Sequence, residues 1–111
     1  MKNYQLFVGV DISKLSLDLC LINGSSPSES QHHVVENNAS GIQSLLRLIT
    51  KNKTPLSEVL FCMEDTGVYG IPLCMALDTC KAEYAVVPAI HIKRSKGLKR
   101  EQMLRILLSM L

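Results

Sequence analysis

The sequence lacks the features that mark several large classes of protein. No apolar stretch reaches the roughly 18 residues that a membrane span needs. Asp11 interrupts the N-terminal apolar run, and no small-residue cleavage site follows it, so a signal peptide is not expected. The four cysteines show no C-x-x-C spacing, which argues against a zinc site. These absences predict a cytoplasmic protein without a membrane span, whose thiols are buried and reduced.

The composition is that of one globular domain with a modest core. The chain has 111 residues, of which 47% are hydrophobic and 20% are charged. The net charge of +2 is unevenly spread: residues 1–90 hold six Lys and Arg against nine Asp and Glu, whereas residues 91–111 hold six against one. A mildly acidic body with a basic end is typical of a protein that meets phosphate.

Two apolar segments near the N-terminus predict a hairpin around which the chain is organised. Residues 7–10 form an apolar run that ends at Asp11, which favours a strand covered on both faces. Leucines at positions 15, 17, 19 and 21 alternate with polar residues, so the second strand is expected to be half-buried. Residues 12–14 are about the shortest link that could join the two strands. Asp11 would then be a costly charge beside a dry core unless a cation or donors meet it.

The remaining periodicities predict an α/β fold of the order β-β-β-α-β-α-β. A turn is expected at residues 24–28, three strands at 31–35, 58–63 and 84–87, and helices at 40–51 and from about residue 66. Ser40, with Gln43 three residues on, has the form of a capping box for the first helix. Asp65 or Thr66 is the expected N-cap of the second, whose inward face would carry four side chains: Leu73, Ala76, Leu77 and Cys80. The first three strands should form an antiparallel meander.

Two strands of this predicted sheet end in acid, at Asp11 and at Glu64. If the two strands are parallel neighbours, their carboxylates lie side by side and suit Mg²⁺ or Mn²⁺. The alternative is that Glu64 and Asp65 only cap the following helix. Asp18 is expected to be a solvated residue, with an auxiliary role in the site as the other possibility. His32 and His33 point to opposite faces of a strand, so they cannot chelate one ion together.

Three motifs in order resemble the N-terminal domain of DEDD transposases, the recombinases of the insertion sequence 110 type. They are Val8-Gly9-Val10-Asp11-Ile12-Ser13-Lys14, then Glu64-x-Thr66-Gly67-x-Tyr69-x-x-Pro72-Leu73, then Val87-Pro88-x-x-x-Ile92-Lys93. The resemblance covers roughly residues 4–100 and implies a RuvC-like, ribonuclease H-like mixed sheet with flanking helices. It implies DNA transposition and recombination as the function. Four acids bind divalent metal in the family, and the first two match Asp11 and Glu64.

The chain departs from the family after its basic segment. The family continues with Lys-x-Asp-x-x-Asp-Ala, which supplies the third and fourth acids, whereas no Asp occurs here after Asp78. A truncated or frame-shifted gene would give this pattern, with residues 1–100 as the domain and 101–111 as an atypical apolar tail. We also expect the C-terminal domain that the family carries, with its serine nucleophile, to be absent. We therefore expect a chain that is inactive alone.

The basic segment and the tail lead to two expectations about partners. Five cations are candidates for contact with nucleic-acid phosphates: Lys93, Arg94, Lys96, Lys99 and Arg100. Seven of the nine side chains in residues 103–111 are apolar, so the tail should pack on the domain or on a second copy of the chain. The family resemblance adds a guide RNA as a partner.

Two alternative functions remain open at this point. Actin-like kinases and ATPases also open with an apolar strand that ends in Gly-x-Asp, but Ile12, Ser13 and Lys14 do not provide the glycine that a phosphate loop needs. The other alternative is a non-catalytic, nucleic-acid-binding remnant of a transposase.

Overall fold

The protein is a mixed five-stranded sheet with two helices. The computed structural model describes residues 4–24, 26–51, 54–64 and 67–87. The strands are β1 (Leu6–Ile12), β2 (Ser16–Asn23), β3 (Ser26–Glu36), β4 (Val59–Glu64) and β5 (Glu83–Val87), and the helices are α1 (Ala39–Lys51) and α2 (Ile71–Thr79). The order in the sheet is β3-β2-β1-β4-β5. Strands β1 to β3 form the predicted antiparallel meander, and β4 is parallel to β1 and to β5.

One face of the sheet, here called the helix face, carries the main hydrophobic core. The alternate residues of β1, β2 and β4 that face this side are apolar except for Asn23 at the end of β2, and the apolar ones pack with Leu45 and Ile49 of α1 and with Leu73 and Leu77 of α2. Among the described residues, Phe61 is the largest side chain that is completely buried. The two helices are held to the sheet by this apolar burial, at about 25 cal/mol per Å². The predicted inward face of α2 is confirmed, since Leu73 and Leu77 are buried and Ala76 and Cys80 pack against the core.

The opposite face of the sheet, here called the second face, is also buried over part of its area. Cys20, Ile22, Leu60 and Cys62 are all less than 9% exposed, yet none belongs to the cluster on the helix face. Side chains alternate between the faces of a strand, which places these four on the second face. The prediction that β2 is half-buried is therefore wrong: its second face is apolar and buried at Cys20 and Ile22.

Local details of the hairpin and of β3 differ from the sequence-based expectation. Leu15 lies in the β1–β2 turn and is 78% exposed, so only Leu17, Leu19 and Leu21 form the buried leucine row. The turn is tied by short-range polar bonds instead, since the Ser13 hydroxyl donates to Ser16 O at 3.0 Å. Strand β3 begins at Ser26, inside the predicted turn cluster, and it is 11 residues long.

Both predicted helix caps are wrong. Helix α1 begins at Ala39, and Asn38 caps it through a bond from the Gly41 N–H to Asn38 Oδ1 at 2.8 Å. The Asn side chain serves this purpose as well as Ser does, and it lies two residues before the predicted cap. Gly70 is the N-cap of α2, because the short 3₁₀ helix Gly67–Gly70 precedes it. Pro72 lies in the first turn of α2, as expected.

Several expectations concern residues outside the described part of the chain. The basic segment at 91–100, the apolar tail at 101–111 and the acid Asp65 all lie there. None of the four cysteines, which all lie in the described part of the chain, forms a disulfide. Within the described residues, no helix has the length and apolar character to cross a membrane.

Candidate metal centre at the carboxyl ends of β1 and β4

Register places Asp11 and Glu64 at neighbouring strand ends. Gly9 of β1 pairs with Cys62 of β4, and the parallel ladder continues to the pair Val10 and Met63. Asp11 and Glu64 are the next residues on their strands. Each lies two residues beyond the Gly9–Cys62 pair, so both belong to the second face. Neighbouring strands are about 4.8 Å apart, which brings the two carboxylates to one edge of the sheet.

A third acid shares this position, although the sequence predicts a solvated residue there, with an auxiliary role as the other possibility. Asp18 of β2 is directly paired with Asp11 across the antiparallel hairpin. The three acids therefore form a row across β2, β1 and β4, here called the acid row (Asp18, Asp11 and Glu64). The predicted position of the hairpin link explains why this pairing was not foreseen. Residues 13–15, rather than 12–14, join the two strands, and the resulting register brings Asp18 opposite Asp11.

The environment of Asp11 differs from the expectation. Val10 and Ile12 on either side of it are buried, but the Asp11 side chain itself is exposed. The prediction of a costly charge held against a dry core is wrong for that reason, because water already solvates the carboxylate. Asp18 and Glu64 are partly buried. Within the described part of the chain, no group of three or more His, Cys, Asp or Glu side chains is arranged to hold a metal ion.

Behind the acid row lies a row of thiols. Gly9 is paired with Cys20 on one side and with Cys62 on the other, two residues back from the acids along each strand. Burial raises the pKa of the Cys62 thiol to about 11. With its raised pKa the Cys62 thiol is neutral at physiological pH, so it places no charge beside the acids.

The turn after β4 borders an apolar groove that the sequence did not predict. The cavity has a volume of about 230 Å³ and lies between α2 and the ends of β1, β4 and β5. Glu64 and Asp78 are its acidic lining residues, and the apolar ones include Ile12, Met63 and Val86. Tyr84 donates a hydrogen bond to Asp78 Oδ1 at 2.9 Å, and this bond raises the pKa of Tyr84.

Two of the other candidate residues are histidines, and they do not converge. His33 pairs with Leu19 and His32 with Cys20, so they lie on opposite faces of β3 as expected. The five candidate cations of the basic segment are outside the described residues: Lys93, Arg94, Lys96, Lys99 and Arg100.

The fold and the acid-ended parallel strands define a RuvC-like, ribonuclease H-like domain. Thermus thermophilus RuvC is similar in structure with a TM-score of 0.53 at 12% identity, over 94% of this chain and 80% of that one. T. thermophilus RuvC in complex with a Holliday junction substrate gives 0.55 at 11% identity, over 96% and 80%. A Bacteroides thetaiotaomicron protein of unknown function with an actin-like ATPase fold gives 0.60 at 8% identity. At these identities the likeness concerns the fold.

The family follows from the sequence itself. The model of the DEDD transposases of the insertion sequence 110 type, described as a transposase, matches residues 8–103. The chain therefore belongs to this family. Its likeness to the B. thetaiotaomicron protein covers 94% of this chain and only 38% of that one. None of the curated proteins matches the chain by sequence.

Proposed function

We propose that this chain acts in DNA transposition and recombination, as a metal-dependent transposase domain with an incomplete set of acids. The observation that carries the proposal is the family match over residues 8–103, which includes Asp11, Glu64, most of β1 and all of β4. The order of the sheet supports it, because β1 and β4 are parallel neighbours and both end in acid. Fold alone would not define a function.

The donor set of the acid row fits a hard divalent cation. Carboxylate oxygens are the ligands that Mg²⁺ and Mn²⁺ prefer, and the row contains no thiol or imidazole. Asp11 and Glu64 would hold the ion, with Asp18 beside them. A bound ion of this kind stabilises the charge on the entering and leaving oxygens of a phosphodiester. Asp11, which is exposed, can be reached by a ligand from solvent.

Mn²⁺ titration tests the metal part of the proposal. We expect Asp11→Asn and Glu64→Gln each to weaken Mn²⁺ binding by more than about tenfold, because each removes a charged oxygen ligand. Glu58→Gln is a matched control, since Glu58 lies just before the other end of β4, away from the acid row. It should leave the affinity within about twofold. Equal affinities in all three variants would contradict the metal site.

DNA binding is proposed for the basic segment. Neutralising Lys93, Arg94, Lys96, Lys99 and Arg100 should weaken binding and flatten its salt dependence, since each lost phosphate contact removes about 0.9 from the log–log slope on duplex DNA. An unchanged slope would show that the segment is not the binding surface. Because one similar RuvC structure contains a Holliday junction, a four-way junction and a duplex of equal length are the substrates to compare.

The incomplete acid set leads us to propose that the chain does not cut DNA alone. The third and fourth acids of the family pattern are Asp, whereas no Asp follows Asp78 and Glu101 is the acid that follows Lys99 and Arg100. With Mn²⁺ and a four-way junction, the purified chain should therefore give no cleavage above background. Cleavage that requires metal and is lost in Glu64→Gln would overturn the inactivity and show that the acids present suffice.

Further proposals concern partners. The family resemblance supports a guide RNA, which a binding assay with structured RNA tests. The apolar residues 103–111 support self-association, and deletion of residues 102–111 should then lower the mass of the particle in light scattering. An unchanged mass would remove the tail from the interface.

An ATP-binding function is a second candidate, favoured by the TM-score of 0.60 to the protein with an actin-like ATPase fold. The absence of glycine among Ile12, Ser13 and Lys14 opposes it. The Tm of the chain in ATP and Mg²⁺, compared with its Tm in Mg²⁺ alone, tests the ATP-binding function against the transposase function. A nucleotide-dependent rise in Tm would favour the ATP-binding function.

A further inference from the structure

Asn37 contacts both of the turns that follow the strands of the acid row. It lies between the end of β3 and the start of α1. Its side-chain Nδ2 donates one hydrogen bond to Ser13 O at 2.8 Å and a second to Tyr69 O at 2.9 Å. Its backbone N–H donates to Leu15 O at 3.0 Å. One residue thus ties the β1–β2 turn to the 3₁₀ helix after β4.

These contacts lie where the sheet itself no longer joins the two strands. The β1–β4 ladder has its last pair at Val10 and Met63, one residue before Asp11 and Glu64. Ser13 follows Asp11 by two residues, and Tyr69 follows Glu64 by five. The side chain of Asn37 therefore bridges the two segments beyond the last pair of the β1–β4 ladder, although Asp11 and Glu64 are still paired with β2 and β5.

The chemistry of the bridge requires an amide. The nitrogen of an Asn side chain carries two hydrogens, and both are used here on backbone carbonyls of separate segments. A hydroxyl could donate only one such bond, and the isosteric aspartate none. The Asn37 Oδ1 atom is buried and has no hydrogen-bond partner. A buried acceptor without a donor is unfavourable, so the Oδ1 atom does not account for Asn37 at this position. The two hydrogen bonds of Nδ2 do.

We propose that Asn37 is a positioning residue for the metal site, holding the ends of β1 and β4 at the spacing that lets Asp11 and Glu64 share one ion. The inference rests on the proposed function, since it concerns the same site. Asn37 acts through the two turns and does not itself bind the metal. Groups that orient metal ligands from outside commonly change metal affinity by 10- to 100-fold when they are replaced.

The test compares Asn37→Ala with Asn38→Ala in the full chain. The neighbouring Asn38 caps α1 through Gly41 N, so its loss disturbs the same junction while leaving both bonds of Asn37 Nδ2 in place. Two measurements are made well below the Tm of each variant: the Kd for Mn²⁺ and amide hydrogen exchange. If Asn37→Ala does not fold, Asn37→Ser serves, because its side chain is too short to reach both carbonyls.

We expect Asn37→Ala to raise the Mn²⁺ Kd about tenfold and Asn38→Ala to change it less than twofold. Amide exchange should become faster in residues 13–16 and 67–70 together, in the Asn37 variant alone. Equal changes of Kd in the two variants, or faster exchange in only one of the two turns, would overturn the inference. A wild-type chain that binds no Mn²⁺ overturns the proposed metal site, and the exchange result then still decides whether Asn37 ties the turns.

Discussion

The two faces of the sheet differ in what they do for the molecule. The helix face is apolar along β1, β2 and β4, and both described helices pack on it. The second face carries buried thiols in its middle and the acid row at one edge. Stability therefore comes mainly from the helix face, whereas the chemistry that the chain offers lies on the second face. One set of strands can provide both the stability and the chemistry, since alternate residues of each strand point to different faces.

The largest expected effect is the loss of stability when a phenylalanine is replaced, and it should differ between the two faces, each of which carries one phenylalanine. Phe61 on the helix face is completely buried, and Phe61→Ala should lower the free energy of unfolding by about 3–5 kcal/mol. Phe7 faces the other side, is only partly buried and makes an edge contact with Tyr4 at 5.9 Å between ring centroids. Phe7→Ala should cost about half as much or less. Urea unfolding measures both, and equal losses would remove the distinction between the faces.

The next largest effect is on the reactivity of Cys62, a buried thiol of the second face. Burial raises the pKa of Cys62 to about 11, from an ordinary value of about 8.5. At pH 8 its thiolate fraction should be roughly two orders of magnitude below that of an unfolded thiol. Because Cys62 is also completely buried, alkylation by iodoacetamide should be slower by at least that factor. Mass spectrometry after timed labelling, with a urea-unfolded sample as control, measures this ratio. Labelling of Cys62 at the rate of the unfolded chain would show that this thiol is open to solvent.

The raised pKa of Cys62 should also lower the free energy of unfolding at alkaline pH. The pKa of Cys62 is higher in the folded than in the unfolded chain. The stabilisation that belongs to the neutral thiol is therefore fully present below about pH 8.5, and it is lost as the pH rises towards 11. Cys62→Ala should show a shallower decline than the wild type over this range. Parallel declines would contradict the assignment.

The sequence predicted the topology of the sheet because its strong signals are local. Apolar runs that end at Asp11 and Glu64, with a helix between them, favour a parallel pair within the sheet. The sequence left open whether β1 is the strand that pairs with β4, and the register shows that it is. Finer features depend on choices among similar residues, and these were missed. Asn38 caps α1 although Ser40 with Gln43 had the expected pattern, and the shift of one residue in the hairpin link hid the Asp11–Asp18 pair.

Glycine at position 41 tests how closely α1 approaches the sheet. A Cβ atom there would lie 1.8 Å from Glu36 O, so backbone must move, and Gly41→Ala should cost about 3 kcal/mol. Gly67 is the control, because nothing lies within 4 Å of its Cβ position and only its φ of +66° opposes a side chain. Gly67→Ala should cost about 1 kcal/mol. The Tm shifts of the two variants should keep this order, and the reverse order would contradict the close helix contact.

The smallest expected effect concerns Asp18, and its sign depends on metal. Asp18 lies directly opposite Asp11, and like charges in that position repel by a few tenths of a kcal/mol up to about 1. In EDTA, Asp18→Asn should therefore raise the free energy of unfolding by about 0.5 kcal/mol, and so should Asp11→Asn. The double variant should gain less than the sum of the two, since either change alone removes the repulsion. In saturating Mn²⁺ the effect of Asp11→Asn should reverse, because that variant loses a metal ligand, and the effect of Asp18→Asn should reverse as well if Asp18 takes part in holding the ion. A gain for Asp18→Asn that stays the same in EDTA and in Mn²⁺ would leave Asp11 and Glu64 as the metal ligands and remove Asp18 from the site.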